Sequence, residues 1–310
     1  MSTLDFSTKI GSKRFSNPIF TASGCASSGQ ELSQFFPLNE LGAIVTKSIM
    51  TKPRTGRATP RMAETPSGML NSIGLQGPGI DTFLEKDIAW LVEQKAKIIV
   101  SIAGETVDEY GVLSRRLRAV SGISAVEVNI SCPNVENRGQ VFACHPDTAV
   151  AVIEAVRRNI GGELPIVAKL SPDVTDIVEI AASVINAGVD GLALINTLLG
   201  MVIDTNTMKP KLAGKTGGLS GPAIRPIAVR AIYQVHQAFP NIPIVGMGGV
   251  ASGRDALELI LAGASAVSIG TATFGNPNAA MQIKEELAEL LTQKGFNDFR
   301  DAIGFAHRGI

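Results

Sequence analysis

No Cys-x-x-Cys pair occurs in this sequence, and only three cysteines are present, Cys25, Cys132 and Cys144. So odd and sparse a set argues against a disulfide framework, and without paired thiols the chain offers no seat for an iron–sulfur cluster or a structural zinc. Histidine is equally scarce. His145, His236 and His307 fall in a helix start, a helix and the tail, which reads as structural or surface placement and leaves no metal constellation. Neither sign of charge is in excess: 28 Lys and Arg balance 28 Asp and Glu. Nothing therefore points to nucleic acid or to an anionic membrane. No apolar run reaches the ~18 residues of a membrane span. The opening stretch MSTLDFSTKIGSKRF lacks the apolar core of a signal peptide, so a cytoplasmic protein is expected. Linker-like and low-complexity stretches are also missing, and residues 1–310 read as a single domain.

What the chain does hold is alternation. Short β-branched runs are expected as strands at 17–22, 43–47, 98–102, 126–131, 166–170, 191–195, 244–247 and 266–269. Between them lie segments of 3.6-residue periodicity, among them 147–159, 174–187, 224–239 and 253–261. Strand–helix alternation means a parallel sheet, and eight units point to closure into a (β/α)8 barrel. The open doubly wound alternative lacks its fingerprint: the first turn reads TASGCASSG rather than GxGxxG. Two connections exceed what a barrel needs, residues 50–80 and residues 198–221, the second reading as a hairpin with a Gly-rich return. Both follow strands on the side where barrel active sites lie, and long ordered loops are usually functional.

The strand ends are polar where a buried parallel strand should stay apolar. They carry Ser23-Gly24, Lys47-Ser48, Ser101, the stretch NISCPN at Asn129–Asn134, Lys169, Asn196-Thr197, Gly248-Gly249 and Gly270-Thr271. Each alone is ordinary turn chemistry; together on one rim they mark an active site. The glycines of VGMGGVASGRDA and VSIGTATFGNP follow the seventh and eighth strands, where this fold customarily binds phosphate. Lys47 and Lys169 converge on the same mouth. Lys169 could form a Schiff base, or lay a fixed positive charge beside an anionic cofactor ring; two lysines suit the second role better. Cys132 could be a nucleophile or a general base, and a nucleophilic thiolate usually needs a histidine partner.

The motifs NISCPN, INTLLGM, KTGGLSGPAIRPIAVR, GMGGV and MLNSIGLQGPG, spread over residues 16–275, resemble the cytosolic class of dihydroorotate dehydrogenases. The wording of NTLLGM and TGGLSGPAI is most similar to the type whose catalytic subunit pairs with an iron–sulfur flavoprotein and passes electrons to NAD. The membrane-bound class carries an N-terminal extension that this sequence does not show. The resemblance implies one FMN in the barrel mouth, its phosphate on Gly248, Gly249, Gly270 and Thr271, with Ser23, Lys47, Ser48, Ser101, Asn129, Lys169, Ile195 and Gly221 around the rest. It implies dihydroorotate held by Lys47, Asn71, Ser72, Ile73, Gly74, Leu75, Asn129, Asn134, Asn196 and Thr197. Cys132 would remove the C5 proton while hydride passes from C6 to flavin N5, giving orotate for pyrimidine biosynthesis. It implies a homodimer or a heterotetramer in which FAD and a [2Fe-2S] cluster sit only on the partner subunit, with no metal on this chain.

Three departures from the family pattern stand out. Ser101 in VSIAG replaces the Asn of ANVAG, GCASSG replaces GCFGFG, and Cys144-His145 stand where relatives tend to have Gly and Thr or Asn. The competing readings are a fumarate-using homodimer, a dihydropyrimidine dehydrogenase-like flavin enzyme, an aldolase using Lys169, and a non-catalytic binder of a phosphate ligand.

Overall fold

The structure is a computed structural model that describes residues 4–131 and 145–309. Eight parallel strands form one sheet: β1 Ile19–Thr21, β2 Ile44–Val45, β3 Ile98–Ile102, β4 Ile123–Asn129, β5 Ile166–Lys169, β6 Gly191–Leu194, β7 Ile244–Met247 and β8 Ala266–Ile269. Each pairs with its neighbour in chain order, and β8 pairs with β1. The ring closes between β1 and β2. There Thr21 N–H donates to the Ala43 carbonyl at 3.2 Å, and Val45 N–H donates to Thr21 Oγ1 at 2.8 Å. The expected (β/α)8 barrel is the observed one.

Its interior is filled by alternating large and small side chains, as a closed barrel requires. Phe20, Ile99, Val167 and Val245 interleave with Ala43, Ala125, Ala193 and Ala266, all buried. An N-terminal hairpin, Thr8–Ile10 with Lys13–Phe15, supplies Ile10 and Phe15 to this core, and Phe15 lies 5.0 Å from the Phe20 ring. That hairpin was not foreseen: three-residue strands are too short to show a period.

The outer layer comprises α1 (80–93), α2 Val107–Arg118, α3 Pro146–Ile160, α4 Ile177–Asn186, α5 Arg225–Ala238, α6 Gly253–Ala262 and α7 Ala279–Gln293. Thr106, Asp176 and Ser252 cap α2, α4 and α6, each side chain accepting a first-turn N–H. Two differences from expectation concern boundaries. After β1 the chain makes only the short turns Leu32–Gln34 and Leu38–Glu40, and β4 begins at Ile123 rather than 126. No helix among the described residues is long and apolar enough to cross a membrane.

The two long connections do not stay separate. Leu198–Met201, Thr216–Ser220, Gly68–Asn71 and Met62–Thr65 pair in that order into an antiparallel sheet roofing the barrel mouth. Leu70 is buried on the inner side of this roof, where Leu198 and Leu219 pack against the core. Gly218 is required there, because a Cβ would stand 2.0 Å from Thr197 Oγ1. Asp173, in the loop after β5, accepts the Leu199 N–H at 3.1 Å and ties roof to rim.

Candidate active site

At the C-terminal ends of the strands lies a cavity of about 900 Å³, closed above by the roof. That volume is ample for a cofactor together with a small substrate. Its walls differ in kind.

One wall is backbone. Gly248 and Gly249 follow β7 with φ of +129° and +72°, and Gly221 enters α5's approach at φ +93°. A Cβ on Gly249 would lie 2.8 Å from the Gly221 carbonyl oxygen, and one on Gly248 would lie 2.9 Å from Ala228 Cβ. Beside them, after the neighbouring strand β8, Gly270 and Thr271 lead into the short helix Ala272–Gly275, and Thr271 Oγ1 donates to Ser220 Oγ at 2.8 Å. Glycines in such conformations let peptide N–H groups approach an anion closely.

The facing wall is side chain. Lys169 projects from β5, its ammonium donating to Ser23 Oγ at 3.0 Å and standing 3.8 Å from Glu127 Oε1. Both partners of this ion pair are buried, at 5% and 3% side-chain exposure. Removing one charge from such a pair costs about 3–5 kcal/mol, because the other is left uncompensated. Lys47 lines the same wall beside Gly24, where a Cβ would come 3.2 Å from the Lys47 ammonium.

Amides and hydroxyls complete this wall. Asn129 Nδ2 donates to Ser48 Oγ at 3.0 Å, while its Oδ1 accepts from Ser131 Oγ at 3.2 Å and from Asn196 Nδ2 at 3.4 Å. Asn196 Nδ2 also donates to Ser131 Oγ at 2.7 Å, and its Oδ1 accepts the Thr197 N–H at 2.8 Å. Tyr110 from α2 donates to the Asn129 carbonyl at 2.8 Å. From the roof, Asn71 Nδ2 donates to the Gly218 carbonyl at 3.3 Å.

Of the residues singled out in the sequence, Ser23, Lys47, Ser48, Asn129, Lys169, Ile195, Gly221, Gly248, Gly249, Gly270 and Thr271 line this cavity. So do Asn71, Ile73, Leu75, Asn196 and Thr197. Ser101, Ser72 and Gly74 are not on its wall. Ser101 is fully buried beneath it, its hydroxyl committed to Glu127 and Ser48 at 2.9 Å each. Ser72 is turned away and accepts from Arg57 Nη1 at 2.9 Å. Gly74 packs against Arg57, whose backbone nitrogen a Cβ would meet at 2.7 Å. Cys132 and Asn134 lie outside the described residues, as does Cys144.

Sequence reasoning missed several contributors. Glu127 sits deeper in β4 than the polar strand ends, yet its carboxylate reaches the lysine of the next strand. A lone charge inside the apolar run AVEVN was the available signal. Cys25 also lines the cavity, and burial pushes its thiol up against the opposing pull of Lys169 and Lys47. Burial thus favours the thiol over the thiolate. Ser27, Ser28, Arg54 and Gln76 add to the walls from loops with no readable period, and Phe274 from the short helix Ala272–Gly275.

Ser268, on β8, is buried and borders the cavity, and its hydroxyl has no hydrogen-bond partner among the described residues. A buried hydroxyl without a partner is costly, and a ligand's polar atom would satisfy it. The glycine cradle, the orphaned hydroxyl and the lysine wall together fit an anionic, ring-bearing cofactor.

Comparison with known proteins agrees with this arrangement. The chain is 50% identical over 304 residues to a Desulforamulus reducens protein named dihydroorotate dehydrogenase B (NAD(+)), catalytic subunit, covering 98% of this chain and 99% of that one. It is 50% identical over 292 residues to the Desulforudis audaxviator protein of the same name, covering 94% of each. It is 47% identical over 300 residues to the Geobacter sulfurreducens one, covering 97% of each. A family model described as dihydroorotate dehydrogenase matches residues 5–291, and the chain belongs to that family.

Proposed function

We propose that this chain is the catalytic subunit of a cytoplasmic, NAD-linked dihydroorotate dehydrogenase, oxidising dihydroorotate to orotate in pyrimidine biosynthesis with one bound FMN. The observation that carries this reading is the single cavity joining a glycine cradle to a wall of lysines and amides. Phosphate and planar imide need those two surfaces within one ligand's length of each other. The names of the near-full-length relatives support it further.

In this reading Gly248, Gly249, Gly270 and Thr271 hold the FMN phosphate, and Gly221 and Ile195 border the rest of the cofactor. FMN, when bound, supplies the two-electron acceptor that no side chain can provide. Lys169 presents a fixed positive charge to it. Its nitrogen is engaged by Glu127 and Ser23, an arrangement that suits a fixed charge beside a ligand better than the free amine nucleophile of a Schiff-base aldolase.

Dihydroorotate carries a carboxylate and a cyclic imide. Lys47 would answer the carboxylate; Asn71, Asn129, Asn134, Asn196 and Thr197 would answer the imide, since each amide offers both donor and acceptor. Ile73 and Leu75 would cover the ring, with Ser72 and Gly74 shaping their loop. Cys132 is assigned as the base that takes the C5 proton. Its described neighbour Ser131 is held by Asn129 and Asn196.

The chain has no Cys-x-x-Cys pair, so electrons bound for NAD would leave through a partner subunit carrying FAD and a [2Fe-2S] cluster. A homodimer of this chain at the centre of a heterotetramer is the proposed assembly. The test is steady-state dihydroorotate oxidation by purified yellow protein. NAD should be reduced only when the partner subunit is present. Rapid NAD reduction by this chain alone, or turnover with fumarate instead, would overturn the acceptor assignment.

A further inference from the structure

Beneath the cavity, Glu127 joins Lys169 to a chain of hydroxyls that ends at Asn129. Its Oε1 lies 3.8 Å from the Lys169 ammonium and accepts from Ser101 Oγ at 2.9 Å. Ser101 Oγ in turn stands 2.9 Å from Ser48 Oγ, which accepts from Asn129 Nδ2 at 3.0 Å. The direction of this chain follows from counting protons. A serine has one hydroxyl hydrogen, and that of Ser101 is spent on the carboxylate, which can only accept. The hydrogen between the two serines therefore belongs to Ser48. Ser48 must then take a donor from its other side, and the Asn129 NH2 group is that donor. Its Oδ1 is thereby turned toward Ser131 and Asn196.

We propose that Glu127 is a positioning residue for two groups of the side-chain wall: it holds the Lys169 ammonium, and through Ser101 and Ser48 it fixes which way the Asn129 amide faces the ligand. Glu127 itself does not line the cavity, whereas Lys169, Ser48 and Asn129 do. Its negative charge also offsets part of the Lys169 charge felt in the cavity. This inference rests on the proposed reading for its substrate, but its flavin readout does not depend on dihydroorotate.

The test uses FMN-loaded protein and two independent readouts. The flavin midpoint potential is measured by chemical reductive titration, and the KM for dihydroorotate by steady-state turnover. Glu127→Gln keeps an acceptor for Ser101 but removes the charge. It should strengthen the preference for reduced flavin about tenfold, a positive shift of about 30 mV, and leave KM near wild type. Ser101→Ala keeps the ion pair but cuts the relay. It should raise KM about tenfold, the worth of one buried hydrogen bond, and leave the potential unmoved. Glu127→Ala should move both. A wild-type potential in Glu127→Gln, or a wild-type KM in Ser101→Ala, would overturn the proposal even if Glu127→Ala fails to fold. If dihydroorotate does not reduce the wild-type flavin, the proposed function fails instead, and the potential of Glu127→Gln still decides the Lys169 half.

Discussion

The two walls of the cavity are built by opposite means. The glycine wall at Gly221, Gly248 and Gly249 depends on side chains being absent, in backbone conformations that a Cβ would forbid. The opposite wall depends on side chains being present: Lys169, Ser48 and Asn129 line it, tied from beneath by the Glu127 ion pair and the Ser101 hydrogen bonds. The first is contributed by short consecutive motifs, the second by three different strands and the loop after β2. A wall of the first kind binds whatever carries the right anion. A wall of the second kind can be tuned residue by residue, and substrate choice is assigned there.

Substitutions that strike one wall and spare the other test this division. The largest effect is expected from Lys169→Ala, which removes the fixed charge and leaves the buried Glu127 without its cation. Flavin reduction by dihydroorotate should fall by about 10²–10³-fold, read by stopped-flow absorbance, and bound flavin should be partly lost. Cys132→Ser should also slow turnover by orders of magnitude near neutral pH, with FMN content unchanged. Gly249→Val comes next. It forces a β-branched residue to φ +72° against the Gly221 carbonyl, at a cost of about 1–3 kcal/mol. FMN should dissociate more readily by flavin fluorescence, while the fraction still loaded keeps its KM.

Asn196→Ala should do the reverse, raising KM about tenfold with FMN retention intact. The smallest effect lies outside both walls. Burial, and then the neighbouring His307, hold the His236 imidazole below its ordinary range, and its Nδ1 has no partner among the described residues. The unfolded chain then binds a proton that the fold refuses. Stability is full above about pH 6.5 and declines as pH falls below it. Denaturant titrations at two pH values should show this in wild type and not in His236→Phe, with flavin and substrate readouts unmoved.

The difference between the walls also explains what could be read in advance. The barrel was legible because eight apolar runs alternate with helical periods, and the glycine wall because its glycines are adjacent in sequence. The polar ends of β2, β4, β5 and β6 were legible as a rim. The connections among them were not. Glu127 and Ser101 are 26 residues apart, and Ser101 and Ser48 are 53 apart. Only the register of β3 against β4 brings Ser101 opposite Glu127. Ser101 was accordingly expected at the flavin, whereas it lies one layer below. The roof escaped notice for a similar reason. Its strands come from two connections separated by Gly68–Asn71 and Thr216–Ser220, and nothing local announces that they pair.

The central claim is that one wall holds the flavin and the other selects dihydroorotate. Its most direct test is anaerobic absorbance of the flavin-loaded protein mixed with dihydroorotate, dihydrouracil or dihydrothymine in turn. Bleaching of the flavin by dihydroorotate alone is the predicted result. Bleaching by dihydrouracil with none by dihydroorotate, or a protein that purifies without flavin and cannot be loaded with FMN, would contradict it.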